Sequence, residues 1–160
     1  MRWVGTIALA IAAMGTGIWL GEDLTAALPT EVFFLALAGS LLGYLVTPYR
    51  SLMGALGTAG IIALCAAGGF FTGRTIATAA FNDCVARGEA VRVSLARFEA
   101  RTGRFPHGLD RLSRRDIPGQ RWLRGTVLAY RPTSQGYELS CSDWLVTHQA
   151  TESTAFAAQK

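Results

Sequence analysis

Charged side chains are nearly missing from the first half of the chain. Residues 1–81 hold three basic groups (Arg2, Arg50, Arg74) and three acidic ones (Glu22, Asp23, Glu31), and the remaining twelve basic and eight acidic groups follow. An apolar half joined to a charged half is the pattern of a membrane anchor carrying a soluble module. Lysine is also scarce: Lys160 is the only one among fifteen basic residues, which reads first as a composition bias. Cysteine is sparse, and Cys65, Cys84 and Cys141 show no Cys-x-x-Cys spacing. With His107 and His148 they offer soft ligands but no paired spacing, so a structural zinc site is not expected. There is no Gly-x-Ser-x-Gly turn. His107, Asp110 and Ser113 share three-residue spacing, but they lie in a polar turn without an oriented partner. No catalytic residue and no cofactor is assigned.

What is present, in place of charge, is three apolar runs. They extend from Trp3 to Leu20, from Val32 to about Tyr49 and from Leu52 to Phe71. Each approaches the ~20 residues that cross a hydrocarbon core of ~30 Å. The connections are short, so a compact antiparallel bundle of three transmembrane helices is expected, with Trp3, Trp19, Tyr44 and Tyr49 near the interfaces. No ionisable residue lies within a run, which argues against a transporter or proton path. Small residues recur at four-residue spacing: Gly17 with Gly21, Gly39 with Gly43, and Ala55 with Ala59. Such faces let backbones approach, either within the bundle or towards a second copy or partner subunit. Arg2 before an apolar run also fits the start of a signal peptide, but Gly17–Glu22 lacks a small-x-small cleavage site.

Arg2 and Arg50 favour a cytoplasmic amino terminus and a carboxy-terminal domain outside the cytoplasm, in a cell (inner) membrane. Arg74, Arg87 and Arg92 pull the other way. Cys84 and Cys141 bracket the soluble half. As a disulfide they would staple it in an oxidising compartment; the alternative is two unrelated buried thiols.

Within the soluble half, Cys84, Gly88, Val91, Leu95, Phe98 and Thr102 recur at steps of four and three, the stripe of an amphipathic helix over 84–102. Gly103 offers a stop. Nothing before Asp83 but Gly73 forces a break, so one rod of about 50 residues from the third run onward is possible. Pro106 opens a turn into a short helix. Thr126–Arg131 and Tyr137–Cys141 read as strands around Pro132–Gly136, and Ser142–His148 as a possible third. The last ten residues lack periodicity and look frayed.

A long amino-terminal helix followed by Phe105-Pro106-x-x-Leu109-Asp110-x-Leu112 and by Gly136-Tyr137-Glu138-Leu139-Ser140 resembles the heads of type IV pilins and type II secretion pseudopilins, over residues 54–148. The resemblance implies a helix laid on a small antiparallel sheet. The sequence departs from that family's processing signal, because Arg74 stands where a Glu follows Gly69-Phe70, and two further apolar runs precede.

The loudest feature of the soluble half is its arginines: Arg101, Arg104, Arg111, Arg114, Arg115, Arg121, Arg124 and Arg131. They suit a lipid headgroup, an anionic envelope polymer or an acidic protein, or else form a solvated surface. No aromatic strand motif accompanies them, so nucleic acid is not expected. The expectation is thus a three-helix membrane region (1–73), an α+β domain with a long helix on two or three antiparallel strands (74–149), and a flexible tail (150–160). Its role would be structural or interactive, towards a protein partner or a second copy. The rival role is an accessory subunit of a membrane enzyme or transporter. A third reading puts the head in the cytoplasm on anionic lipid.

Overall fold

The computed structural model describes residues 2–23, 39, 52–113, 116–134, 136–143 and 145–159. They form helix α1 (Arg2–Gly21), helix α2 (Leu52–Thr102), a 3-10 turn (Leu109–Arg111) and strands β1 (Leu128–Thr133), β2 (Gly136–Ser142), β3 (Thr147–Thr151) and β4 (Ala157–Gln159). Two compact units result, 1–76 and 77–160.

In the amino-terminal unit α1 packs on the charge-free part of α2. The contact is backbone on backbone. A methyl at Gly17 would lie 2.9 Å from the Phe70 nitrogen, and one at Gly21 2.9 Å from the Arg74 nitrogen. From the other side, a methyl at Gly73 would lie 3.0 Å from the Glu22 nitrogen, and one at Gly69 would strike Met14. Because Met14 meets Gly69 and Ile18 meets Gly73, the helices run in the same direction. Hydroxyls in these apolar stretches bond back to their own helix, Thr16 to the Ala12 carbonyl (2.8 Å) and Thr72 to that of Gly68 (2.8 Å). That satisfies them without water. At the end of α1 Glu22 is fully buried, and Arg74 donates to the Asp23 carbonyl at 2.8 Å.

Three transmembrane helices over two or three strands were expected, and the structure corrects both counts. Among the described residues there are two α-helices, and only α2 is long and apolar enough to cross a membrane. Among the residues whose side chains are described, the apolar part of α1 is Gly5–Gly21, about 25 Å at 1.5 Å per residue. The expected second span at 32–49 lies outside the described residues except for Gly39.

The sheet has four strands in the order β1-β2-β3-β4, all antiparallel. Pro132 stays within β1, opposite Tyr137, instead of opening the turn. Proline tolerates that place because β1 is an edge strand with no second neighbour to bond. Residues after Ser142 do not continue as a strand: the Asp143 carboxylate accepts from the Leu145 and Val146 nitrogens (2.8 and 2.7 Å) and turns the chain into β3. The tail expected to fray supplies β4 instead, paired with 147–149.

The core of the carboxy-terminal unit joins one stripe of α2 to one face of the sheet: Cys84, Val91 and Leu95 meet Leu128, Tyr137, Leu139, Cys141 and Ala150. In β2 the buried residues alternate (Tyr137, Leu139, Cys141), as a half-buried strand requires. Cys84 and Cys141 lie at disulfide distance, Cα to Cα 6.3 Å, and tie α2 to the middle of the sheet. Helix α2 stops where Gly103, at φ 75°, donates its N–H to the Glu99 carbonyl (2.7 Å), a left-handed cap. Beyond it Pro106 is buried, its carbonyl takes the Tyr130 hydroxyl (2.5 Å), and the Phe105 ring stands edge-on to Tyr137 at 5.0 Å.

Candidate functional site

Arg97 and Arg101 lie four residues apart on α2, off the buried stripe, so both point away from the core. The cap at Gly103 ends the helix, and the packed Phe105-Pro106 segment returns the chain along it. Leu109 and Leu112 pack against the core, which brings the 3-10 turn beside the last two turns of α2. The result is an open groove of about 600 Å³ lined by Ser94, Arg97, Arg101, Arg111, Ser113 and Asp116. Three guanidinium groups face one carboxylate there. Arg101 also donates to the Arg97 carbonyl (3.2 Å), and Arg111 is a loose, exposed neighbour of Asp110 (3.9 Å). Cations near the C-terminal end of a helix complement its dipole, so the Arg97 and Arg101 charges are well tolerated there even without an acidic partner.

The predicted arginine set is therefore divided. Arg101 and Arg111 reach the groove, joined by Arg97, which was not among the predicted site residues; Arg104 is exposed outside its lining. Arg114 and Arg115 lie outside the described residues. Arg121 and Arg124 belong to a separate loop, where the Arg121 guanidinium donates to the carbonyls of Arg124 (3.1 Å), Gly125 (3.2 Å) and Thr126 (3.2 Å). Arg131 is exposed on β1. Sequence spacing could have found Arg97, four residues before Arg101 on the same helical face.

A second polar cluster clasps the tail. Arg92 donates to the carbonyls of Thr151 (3.2 Å) and Glu152 (3.0 Å) and pairs with Glu89 (2.9 Å), whose other carboxylate oxygen accepts from the Phe156 nitrogen (2.5 Å). That last bond is the main reason the Glu89 pKa is lowered; burial opposes it, and Arg92 adds to it. Burial works against the Arg92 charge, but Glu89 and Tyr137 outweigh it and the pKa is raised. Burial raises the Tyr137 pKa. Above the clasp the Phe156 ring lies on Gly88 and stacks on His148 at 5.9 Å, and His148 meets Phe81 edge-on at 6.0 Å.

The other candidates separate too. His107, Asp110 and Ser113 are all exposed, and no group of three His, Cys, Asp or Glu side chains could hold a metal among the described residues. Gly17 and Gly21 do meet α2, and Gly39 lies against Ile62. Gly43 and the Ala55 side chain fall outside the described residues, while Ala59 is half-buried. Gly21 meets Gly73, Gly17 meets Ala66 and Phe70, and Gly69 meets Met14; Gly69 and Gly73 share the four-residue spacing but were not among the expected positions. No protein-family model, curated protein or solved structure matches the chain.

Proposed function

We propose that this chain is a membrane-anchored structural or interaction protein. Its carboxy-terminal unit presents a basic groove to an anionic partner, a protein or envelope polymer, outside the cytoplasm. The observation that carries the reading is the convergence of Arg97, Arg101 and Arg111 on one open groove with Ser94 and Ser113 as neutral donors. Guanidinium forks match carboxylate and phosphate geometry, and a shallow groove suits an extended partner better than a small substrate. The Cys84–Cys141 pair supports the extracytoplasmic placement, since such a bond persists where the compartment is oxidising. The pilin-like reading of the head is supported by a helix carrying one antiparallel sheet on its apolar stripe.

The test is copurification of the full chain from native membranes, wild type against Arg97→Glu/Arg101→Glu/Arg111→Glu. A partner should be lost from the variant and released from the wild type by salt, while the urea midpoint stays put because all three side chains are off the core. Retention of every partner by the variant would sink the proposal. A reporter fused after His148 fixes the side: activity only in the cytoplasm would refute the extracytoplasmic placement.

A further inference from the structure

The last strand is held mostly through its backbone. The Phe156 nitrogen donates to the Glu89 carboxylate (2.5 Å), and residues 157–159 pair with 147–149 of β3. Main-chain contacts of this kind accept any extended segment. One contact depends on the identity of a side chain. The Phe156 ring lies on Gly88, where even a methyl would come within 2.8 Å of it, and stacks on His148 at 5.9 Å. Affinity from backbone bonds with selectivity from one ring pocket is how a sheet edge takes up a separate strand.

The other edge of the sheet is poorly equipped for that. On β1, Pro132 has no N–H, and the Leu128 nitrogen already donates to the Thr126 hydroxyl (3.1 Å). The β3 side differs. Without β4, its residues 147–149 would present open N–H and C=O groups beside the ring pocket.

The link that keeps β4 on its own chain is short and exposed. Arg92 fixes the chain as far as the carbonyls of Thr151 (3.2 Å) and Glu152 (3.0 Å). Residues 153–155 follow, all exposed. Their turn is closed by Thr151 and Thr154, each backbone nitrogen donating to the other's hydroxyl (3.0 and 3.1 Å). When those bonds open, 153–155 straightens and the tail leaves its slot, while the disulfide and the core around Leu95 and Leu139 stay as they are.

We propose that the slot formed by Gly88, Glu89, His148 and the β3 edge is a strand-acceptor site, and that its ligand is the 156–159 tail of a second copy of this chain, exchanged for its own. The tail seated there shows what the slot takes: an aromatic residue followed by small ones in extended form. Each contact of the slot is the same whichever copy supplies the tail, so only the 153–155 link must change. A terminal element held in this way is a low-cost route to a dimer. The slot is separate from the basic groove, and neither needs the other.

The experiment mixes two full-length chains in detergent, both carrying Cys65→Ala. One has Gln149→Cys and the other Ala157→Cys, positions that face each other in the β3–β4 register. Under mild oxidation a covalent dimer with one chain of each kind should form, well beyond what either chain forms alone. An excess of a synthetic peptide of residues 151–160 should suppress it. The same peptide with Phe156→Ala should compete about tenfold less well, because the ring is the one sequence-dependent contact. Gly88→Val in the Gln149→Cys chain should also abolish the mixed dimer. As much dimer from the Gln149→Cys chain alone, or a mixed dimer that ignores both the peptide and Gly88→Val, would mean encounters that bypass the slot and would overturn the proposal. A second measurement avoids the added cysteines. In a chain ending at Thr154, the amides of 147–149 should exchange fast, and should slow when wild-type chain or the peptide is added. If they stay fast with both, the slot accepts no tail but its own and the proposal is wrong.

Discussion

Removing the Cys84–Cys141 bond is the perturbation whose size the fold fixes most directly. The two cysteines are 57 residues apart in sequence. On the chain-entropy account, closing a loop of that length in the unfolded state contributes ~4 kcal/mol at room temperature. Both side chains are fully buried. Serine would therefore leave a hydroxyl without water, at a further cost of about 1–3 kcal/mol, and alanine is the cleaner replacement. The assay is urea unfolding of the full chain in detergent, followed by circular dichroism and by amide exchange in the sheet. With a slope of about 1–2 kcal/mol per molar urea for a unit of this size, the midpoint for the Cys84→Ala/Cys141→Ala variant should fall by about 2–4 M. Cys84→Ala and Cys141→Ala singly should each give nearly the whole loss, since either breaks the same loop. Reduced wild type should match the double variant, apart from a small term for the missing sulfurs. A midpoint that does not move, or single losses that add up to the double one, would refute the reasoning.

Three further outcomes follow from the packing. Gly88→Val puts a side chain where a Cβ alone would lie 2.8 Å from the Phe156 ring, so it should cost about 1–3 kcal/mol and speed amide exchange at 157–159, in β4 before the rest of the sheet. Glu89 has a lowered pKa in the folded chain, so its contribution is present above the usual value of 4.5 and is lost as pH falls through the lowered one. Exchange at 157–159 should accelerate across that acidic window in the wild type, whereas Glu89→Gln, which keeps an acceptor oxygen for the Phe156 nitrogen but does not titrate, should flatten the dependence. In the amino-terminal unit Gly69→Ile must force α1 and α2 apart and lower the thermal midpoint in detergent. Gly5→Ile, which has nothing within 4 Å, should leave it unchanged.

Sequence reading worked where a period or a pair carries the information. The stripe through Cys84, Gly88, Val91 and Leu95 repeats every three to four residues and is the buried face of α2. The alternation of Tyr137, Leu139 and Cys141 gives β2, and the same pattern put the two cysteines on facing surfaces. It failed where the decisive contact is distant in sequence. Nothing local distinguishes the residues after Thr151 from a frayed end, because β4 exists through one ring set on Gly88 and one N–H bound by Glu89. The turn at Asp143 was misjudged because one carboxylate accepting two backbone N–H groups overrides the strand preference of the residues around it. The three-span expectation is cut back to one: among the described residues only α2 is long and apolar enough to cross a membrane, and the run at 32–49 lies outside them apart from Gly39. An apolar run shows that a segment avoids water, but the continuous helix that carries it decides whether it crosses lipid.

The candidate site was half legible for a related reason. An arginine count gives charge, but the fold decides which arginines keep their hydrogen-bonding capacity for others. Arg92 and Arg121 each turn several N–H groups on backbone carbonyls, at Thr151 and Glu152 and at Arg124 to Thr126. A planar fork can hold several acceptors at once, and an ammonium on a flexible stem does so poorly. These two are thus fasteners of irregular chain. Arg97, Arg101 and Arg111 differ in position more than in kind. Arg97 and Arg101 sit in the last turns of α2 and Arg111 in the 3-10 turn of the returning segment, and their forks face an open groove. The basic excess of this unit accordingly serves two ends, and only the outward-facing part of it is available to a partner.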